Sequence, residues 1–196
     1  MLRLFVMQAD RCVCAALCAP GSVEAEVGRL QARIFEQYGL ASAQALPPLV
    51  PLGFIEDELA PNPGRRSGAR ALLDGVQRSV RAPWQMSGGS LEWHEGYLFL
   101  TLDTGQAWTQ ARESLRALAH MAEPGFFPAA EGFFLGCGDA PVEQRSSMRL
   151  ETPRISTSSA TITLLRLSAP SGAAEFWREV YWEILEERPL RGRRET

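Results

Sequence analysis

Acid–base chemistry at neutral pH needs a group that titrates there, and histidine is the side chain whose ordinary pKa does so. The chain has two histidines, His94 in the run Glu92-Trp93-His94-Glu95 and His120 in Ala119-His120-Met121. The first falls at the tip of an expected hairpin and the second near the end of an expected helix, off its apolar stripe. Both positions read as exposed surface. Glu92, His94 and Glu95 offer a weak metal set and Glu131 a lone carboxylate base, neither with a fixed partner. The chain contains no lysine, which excludes Schiff-base chemistry and a phosphate-binding P-loop lysine. Nucleophile elbows and zinc-ligand spacings are absent as well. Cys12, Cys14 and Cys18 share parity and point to one face of a strand, while Cys137 stands alone; they read as small buried hydrophobes. No cofactor and no metal are expected.

The elements that would position these groups follow from periodicity. Arg11 to Cys18 is nearly continuous apolar and suits a central strand. Ser22 is a candidate N-cap for a helix over 22–38, with Val23, Val27, Leu30 and Ile34 as its stripe and Gly39 as its stop. LPPLVPLGFI, residues 46–55, reads as a strand after two prolines. A short helix capped by Ser67 buries Ala69, Leu72, Leu73 and Val76, and with Arg65, Arg66, Arg70, Arg78 and Arg81 it forms the richest local arginine patch. Leu91 to Asp103 reads as a hairpin turning at Glu95-Gly96, and a helix over 106–122 follows. FFPAAEGFFLG, residues 126–136, repeats the proline-then-strand grammar. After a polar loop carrying Arg145, Arg149 and Arg154 come a strand over 160–167 and a last helix from Ser171 to before Pro189.

Composition sets outer limits. With 45% hydrophobic and 22% charged residues and a formal net charge of −3, the chain is globular and has no whole-molecule basic field for nucleic acid. No apolar run is long enough to span a membrane. The apolar start MLRLFVM is broken by Gln8, Asp10 and Arg11, so the expected location is cytoplasmic.

Strand 12–18, helix 22–38 and strand 46–55 correspond in order to strand 97–103, helix 106–122 and strand 127–137, and Pro48 matches Pro128 at an offset of 80. With LQARIFEQYGLASAQALPPLVPLGFI as its clearest passage, the chain resembles the two-histidine (2H) phosphoesterase superfamily, which includes the RNA 2′,3′-cyclic phosphodiesterases also called 2′-5′ RNA ligases. The resemblance covers residues 11 to 185. It implies an α/β (α+β) fold: two lobes of duplicated β-α-β units with mainly antiparallel sheets about a pseudo-twofold and a central cleft. Lobe one spans about 11–90 and lobe two about 91–187, with terminal strands free to cross between them.

In that family a His-x-Thr/Ser motif follows the proline in each lobe. Carried over, the first histidine and its hydroxyl partner fall on Leu49 and Pro51, the second on Ala129 and Glu131. A rival register for the second uses Thr161 and Thr163. The resemblance thus implies a phosphoesterase-like protein without its catalytic pair. Its cleft would bind a nucleotide or RNA phosphate, with Arg145, Arg149 and Arg166 as anchors, or a partner. The alternatives are an active phosphodiesterase with a relocated site and a structural interaction module with a filled cleft.

Overall fold

An apolar run that is covered on both sides needs a neighbour at each edge, and in a computed structural model of the protein β1 (Arg11–Cys18) has β2 (Val50–Ile55) on one side and β7 (Ser159–Ser168) on the other. The structure describes residues 11–55, 66–122, 127–137, 148–168 and 176–191. α1 (Gly21–Tyr38) ends as expected at Gly39, whose φ of +68° and N–H to Phe35 O at 2.8 Å form a left-handed stop. Its start differs from expectation. Pro20 holds the N-cap position in place of Ser22, and its carbonyl accepts from the N–H groups of Val23 and Glu24. A 3-10 turn (Ala41–Gln44) leads toward β2, and α2 (Arg66–Ser79), β3 (Met86–His94) and β4 (Tyr97–Asp103) come next. Glu95 and Gly96 close the expected hairpin with φ of +51° and +90°, the two positive values that a two-residue turn with the right twist requires. α3 (Ala107–Leu118), β5 (Gly132–Cys137), β6 (Ile155–Thr157), β7, α4 (Phe176–Glu179) and β8 (Tyr181–Arg191) complete the order.

Two antiparallel four-stranded sheets result, ordered β2-β1-β7-β8 and β5-β4-β3-β6. This is the α+β architecture with two sheets that the resemblance implies. The first sheet takes two strands from the front of the chain and two from its end. Strand alternation then divides the apolar residues between two faces. Val13, Ala15, Leu17, Leu98, Leu100, Ile162 and Leu164 join the helices in one core cluster. Cys12, Cys14, Ala16, Phe99, Leu165 and Leu167 turn the other way and meet Leu49, Phe54, Phe127 and Phe134 in a second cluster. α2 packs beside α3 and over β7 and β8.

The expected last helix is not formed beyond α4, and its start at Ser171 lies outside the described residues. Residues 181–191 are instead β8, paired along their length with β7. Phe176, Trp177, Val180 and Ile184 mimic helical spacing, but Tyr181, Trp182 and Ile184 also favour strands. The apolar β7 gains a hydrogen-bonded neighbour from this arrangement. Pro189 is tolerated because β8 is an edge strand. The polar loop likewise contains a short strand, β6, that its composition did not announce.

Both β2 and β5 carry a bulge at a Leu-Gly pair. Gly53 stands at φ +149° and Gly136 at +152°, a region that L side chains rarely adopt. Gly53→Ala and Gly136→Ala should each destabilise the fold by about 1–3 kcal/mol. By contrast, Gly28 lies within α1, and the nearest atom to a Cβ there is Pro48 Cγ at 4.0 Å. Gly28→Ala should therefore stabilise by about 0.5–1 kcal/mol. Urea unfolding of the three variants checks both signs.

Candidate functional site

The concave space between the inner faces of the two sheets is where a two-lobed fold of this kind would place a site. The strand register specifies what lines it. Ala15 pairs with Gly53 and Ala16 with Pro51, skipping Leu52; Leu98 pairs with Gly136 and Phe99 with Phe134, skipping Leu135. The two halves therefore repeat with an offset of 83, from Gly53 to Gly136 and from Ala16 to Phe99, and not the 80 suggested by Pro48 and Pro128. At this offset Gly132 and Phe134 are the counterparts of Leu49 and Pro51. Leu49 and Phe134 are fully buried in the same inner cluster, and Phe134 N–H donates to Leu49 O at 3.0 Å.

Phe134 is the hub of a ring assembly. It stacks on Phe127 at 4.5 Å between centroids and on Trp177 of α4 at 5.5 Å, and it meets Phe99 edge-on at 6.0 Å. Phe54 adds an edge contact to Phe127 at 5.0 Å. Offset and edge-to-face ring pairs contribute about 0.5–1.5 kcal/mol each beyond the area they bury. The inner faces are thus joined by packed side chains. Two surface hollows lie elsewhere. One, of about 590 Å³, runs between α1 and residues 151–153, lined by Arg29, Arg33 and Glu36. Another, of about 300 Å³, sits near the start of α3 beside Ser87 and Asp103.

The residues singled out from the sequence are not brought together. Ala129 packs against the helix-side core and so does not face Leu49. The Glu131 carboxylate accepts from Thr104 N–H at 2.9 Å and from Thr104 Oγ1, tying the end of β4 to the chain before β5. Thr163 is buried on the inner face opposite Ala16, and Thr161 pairs with Cys18 nearer the sheet's end. Arg166 points to the opposite face from Leu165 and Leu167, and its Nη1 reaches Glu183 Oε1 at 2.6 Å. Arg149 is exposed, with its backbone N–H on the Tyr38 hydroxyl at 3.2 Å. Arg145 lies outside the described residues. The Arg166 side chain is therefore on the face away from the inner cluster.

His94 and His120 are both exposed. Among the described residues no three His, Cys, Asp or Glu side chains gather as metal ligands. Glu92 instead joins Ser90 and Thr101 on the inner face of β3 and β4, with Ser90 Oγ and Thr101 Oγ1 at 2.6 Å. All four cysteines are free. Burial holds the Cys14 thiol well above its ordinary value, with Cys12 and Cys18 adding to the effect. Burial also raises Cys18, against a hydrogen bond with Thr163 that lowers it. Neither is a thiolate nucleophile at neutral pH. The ring assembly was not singled out from the sequence. Its only signal there is the clustering of Phe126, Phe127, Phe133 and Phe134.

No family model matches this sequence, and neither does any curated protein. Solved structures do. Escherichia coli LigT complexed with 3′-AMP aligns at a TM-score of 0.58 and 15% identity, over 93% of this chain and 99% of that one. TT0787 of Thermus thermophilus aligns at 0.55 and 18%, over 93% and 99%. A phosphoesterase crystal structure aligns at 0.58 and 16%, over 92% and 99%. The chain has the fold of the two-histidine phosphoesterases, the class to which the sequence resemblance pointed.

Two measurements test the packing. Phe134→Ala should cost about 3–5 kcal/mol, the range for a fully buried ring, and Trp177→Ala less because Trp177 is partly exposed; chemical denaturation reads both. The thiols set a pH dependence with a definite sign. Their folded pKa values lie above the ordinary 9.0. Below about pH 9 folded and unfolded chains both hold these protons, and their stabilisation is fully present. Above it the unfolded chain releases them first, and stability falls by up to about 1.4 kcal/mol per pH unit for each thiol. Cys14→Ala should make that alkaline decline shallower in urea melts between about pH 7.5 and 10.5.

Proposed function

We propose that this protein is a non-catalytic form of the two-histidine phosphoesterase fold that acts by binding a protein partner. Its cleft has become part of its core. The observation that carries the reading is the occupancy of the four motif positions set by the strand register: Leu49, Pro51, Gly132 and Phe134. None of them titrates. In the mechanism the resemblance implies, one imidazole removes a proton from the attacking hydroxyl and the other protonates the leaving oxygen. Each such group is worth roughly a hundred- to ten-thousand-fold in rate. Under the alternative register Glu131 is the one candidate base, and its carboxylate is already engaged by Thr104. The free thiols suit a reducing compartment, which supports a cytoplasmic location.

A nucleotide-binding reading stands second. It is supported by the LigT structures, which are complexed with 3′-AMP and with NADP+, and by the polar strip of Ser90, Thr101 and Glu92 on one wall. It requires the Phe134–Trp177 stack to open.

Incubation of the purified protein with 2′,3′-cyclic nucleotides should give no hydrolysis above a buffer blank, and 3′-AMP should leave the thermal midpoint unchanged. Glu131→Ala should lower that midpoint and change no activity. Turnover that follows the protein through purification and disappears in Glu131→Ala would sink the non-catalytic reading. A midpoint raised by several degrees with 3′-AMP would move the conclusion to the nucleotide-binding one, since a ligand at a hundred times its Kd adds about 2.7 kcal/mol.

A further inference from the structure

Among the described residues β8 is the outer strand of the first sheet and pairs with β7 alone. Exposed edges invite another strand unless proline, charge or covering side chains blunt them. β8 is guarded in this way along its second half. Pro189 interrupts the row of donors, Gln77 Nε2 donates to Pro189 O at 2.6 Å, and Arg188 Nη1 donates to Glu187 O at 2.6 Å. Arg188 is held over the strand by Asp74 at 2.8 Å and by Glu186.

The first half is different. Tyr181, Trp182 and Ile184 are 72%, 44% and 52% exposed, three of the five large hydrophobic side chains most exposed among the described residues. In an antiparallel ladder alternate residues direct N–H and C=O to the same side. Glu187 and Pro189 turn their carbonyls away from β7 toward the covering side chains. The bulge opposite Leu164 and Leu165 shifts that parity by one residue, so Trp182 and Ile184 direct their backbone groups outward. The charge is one-sided as well: residues 179–187 contain four glutamates and no arginine, and while Glu183 pairs with Arg166 and Glu186 with Arg188, Glu179 and Glu187 stand at the two ends of this half.

We propose that the Tyr181–Ile184 half of β8 accepts a further strand from a partner protein, an extended segment in which arginine or lysine alternates with apolar residues. Backbone groups at 182 and 184 supply the ladder, Trp182 and Ile184 pack against the segment's apolar side chains, and Glu179 and Glu187 meet its basic ones. A second copy of this chain is a poorer occupant, because it would set the same glutamates against one another. The inference concerns the sheet's edge and is independent of what the cleft does.

The test uses the full-length protein and a synthetic peptide of about ten residues alternating arginine with valine, alongside the same peptide with glutamate for arginine. Binding followed by amide chemical shifts and hydrogen exchange should shift and protect residues 181–184. The acidic peptide should bind at least about tenfold more weakly, and added salt should weaken the basic one. Ile184→Pro removes an outward N–H at an edge position where proline is tolerated. It should lose at least about tenfold in affinity with an unchanged thermal midpoint. Trp182→Arg, which keeps the backbone and reverses the charge preference, should lose binding in the same way. Shifts that bypass 181–184, equal binding of the two peptides, or a dimer that Ile184→Pro dissolves would each overturn the proposal.

Discussion

Among the described residues, the two sheets are joined edge to edge by one strand-to-strand hydrogen bond, from Phe134 N–H to Leu49 O. The repeat offset places its twofold mate between Pro51 N and Gly132 O, and proline has no N–H to give. The junction is therefore one-sided. Two buried polar side chains reinforce it: the Gln31 amide, which donates to Leu46 O and Phe134 O at 3.4 and 3.3 Å, and Ser42 Oγ, which accepts from Cys137 N–H at 2.9 Å. These contacts come from α1 and the 3-10 turn. On the inner side the described contacts between the sheets are apolar packing centred on Phe134. That constraint explains why the rings are where they are. A pair of lobes missing half of its backbone bonding needs another source of cohesion, and stacked rings that exclude water provide it.

The same constraint governs the chemistry. A catalytic cleft must admit substrate and water, whereas a cleft that serves as the lobes' adhesive must exclude both. Several titratable groups near this one fit the second requirement. The inner-face thiols are kept neutral by burial, Glu131 is bonded to Thr104, and Arg166 is paired on the far face with Glu183. Burying a charge without a partner costs far more than burying a ring, so the charged residues lie at the rims and edges.

Much of the architecture was legible because it rests on local rules. β1, α1, the Glu95-Gly96 hairpin and β7 all follow from strand alternation, helical spacing and turn chemistry. Where the reading failed, two rules competed. Residues 176–185 satisfy a helical stripe as well as a strand, and only the unpaired edge of β7, a tertiary fact, decides between them. The spacing between the two similar stretches is a different case. Prolines at 48 and 128 are conspicuous letters, but both precede their strands, where spacing is loose. The repeat is locked further on, at the two Leu-Gly bulges, where backbone conformation demands glycine. A repeat read from the residues that need a special φ would have reached 83, with Leu52-Gly53 matched to Leu135-Gly136. The ring assembly showed in the sequence only as a clustering of phenylalanines. Phe127, Phe134 and Trp177 come from separate segments and meet only when the sheets face each other.

This bears on the proposed non-catalytic reading. Histidines placed at 49 and 132 would not by themselves make an active site. At 49 the imidazole would enter an apolar cluster that disfavours its charged form and lowers its pKa, at 132 its Cβ would meet the Leu100 carbonyl oxygen at 2.7 Å, and neither would have a hydroxyl two residues on. At one of those sites Pro51 supplies neither hydroxyl nor N–H, and at the other Phe134 supplies the packing that holds the lobes together. The side chain at 134 cannot be a phosphoryl anchor and the hub of the core at once. One side chain cannot serve both ends, and the residue at 134 is the one on which the junction of the two sheets depends.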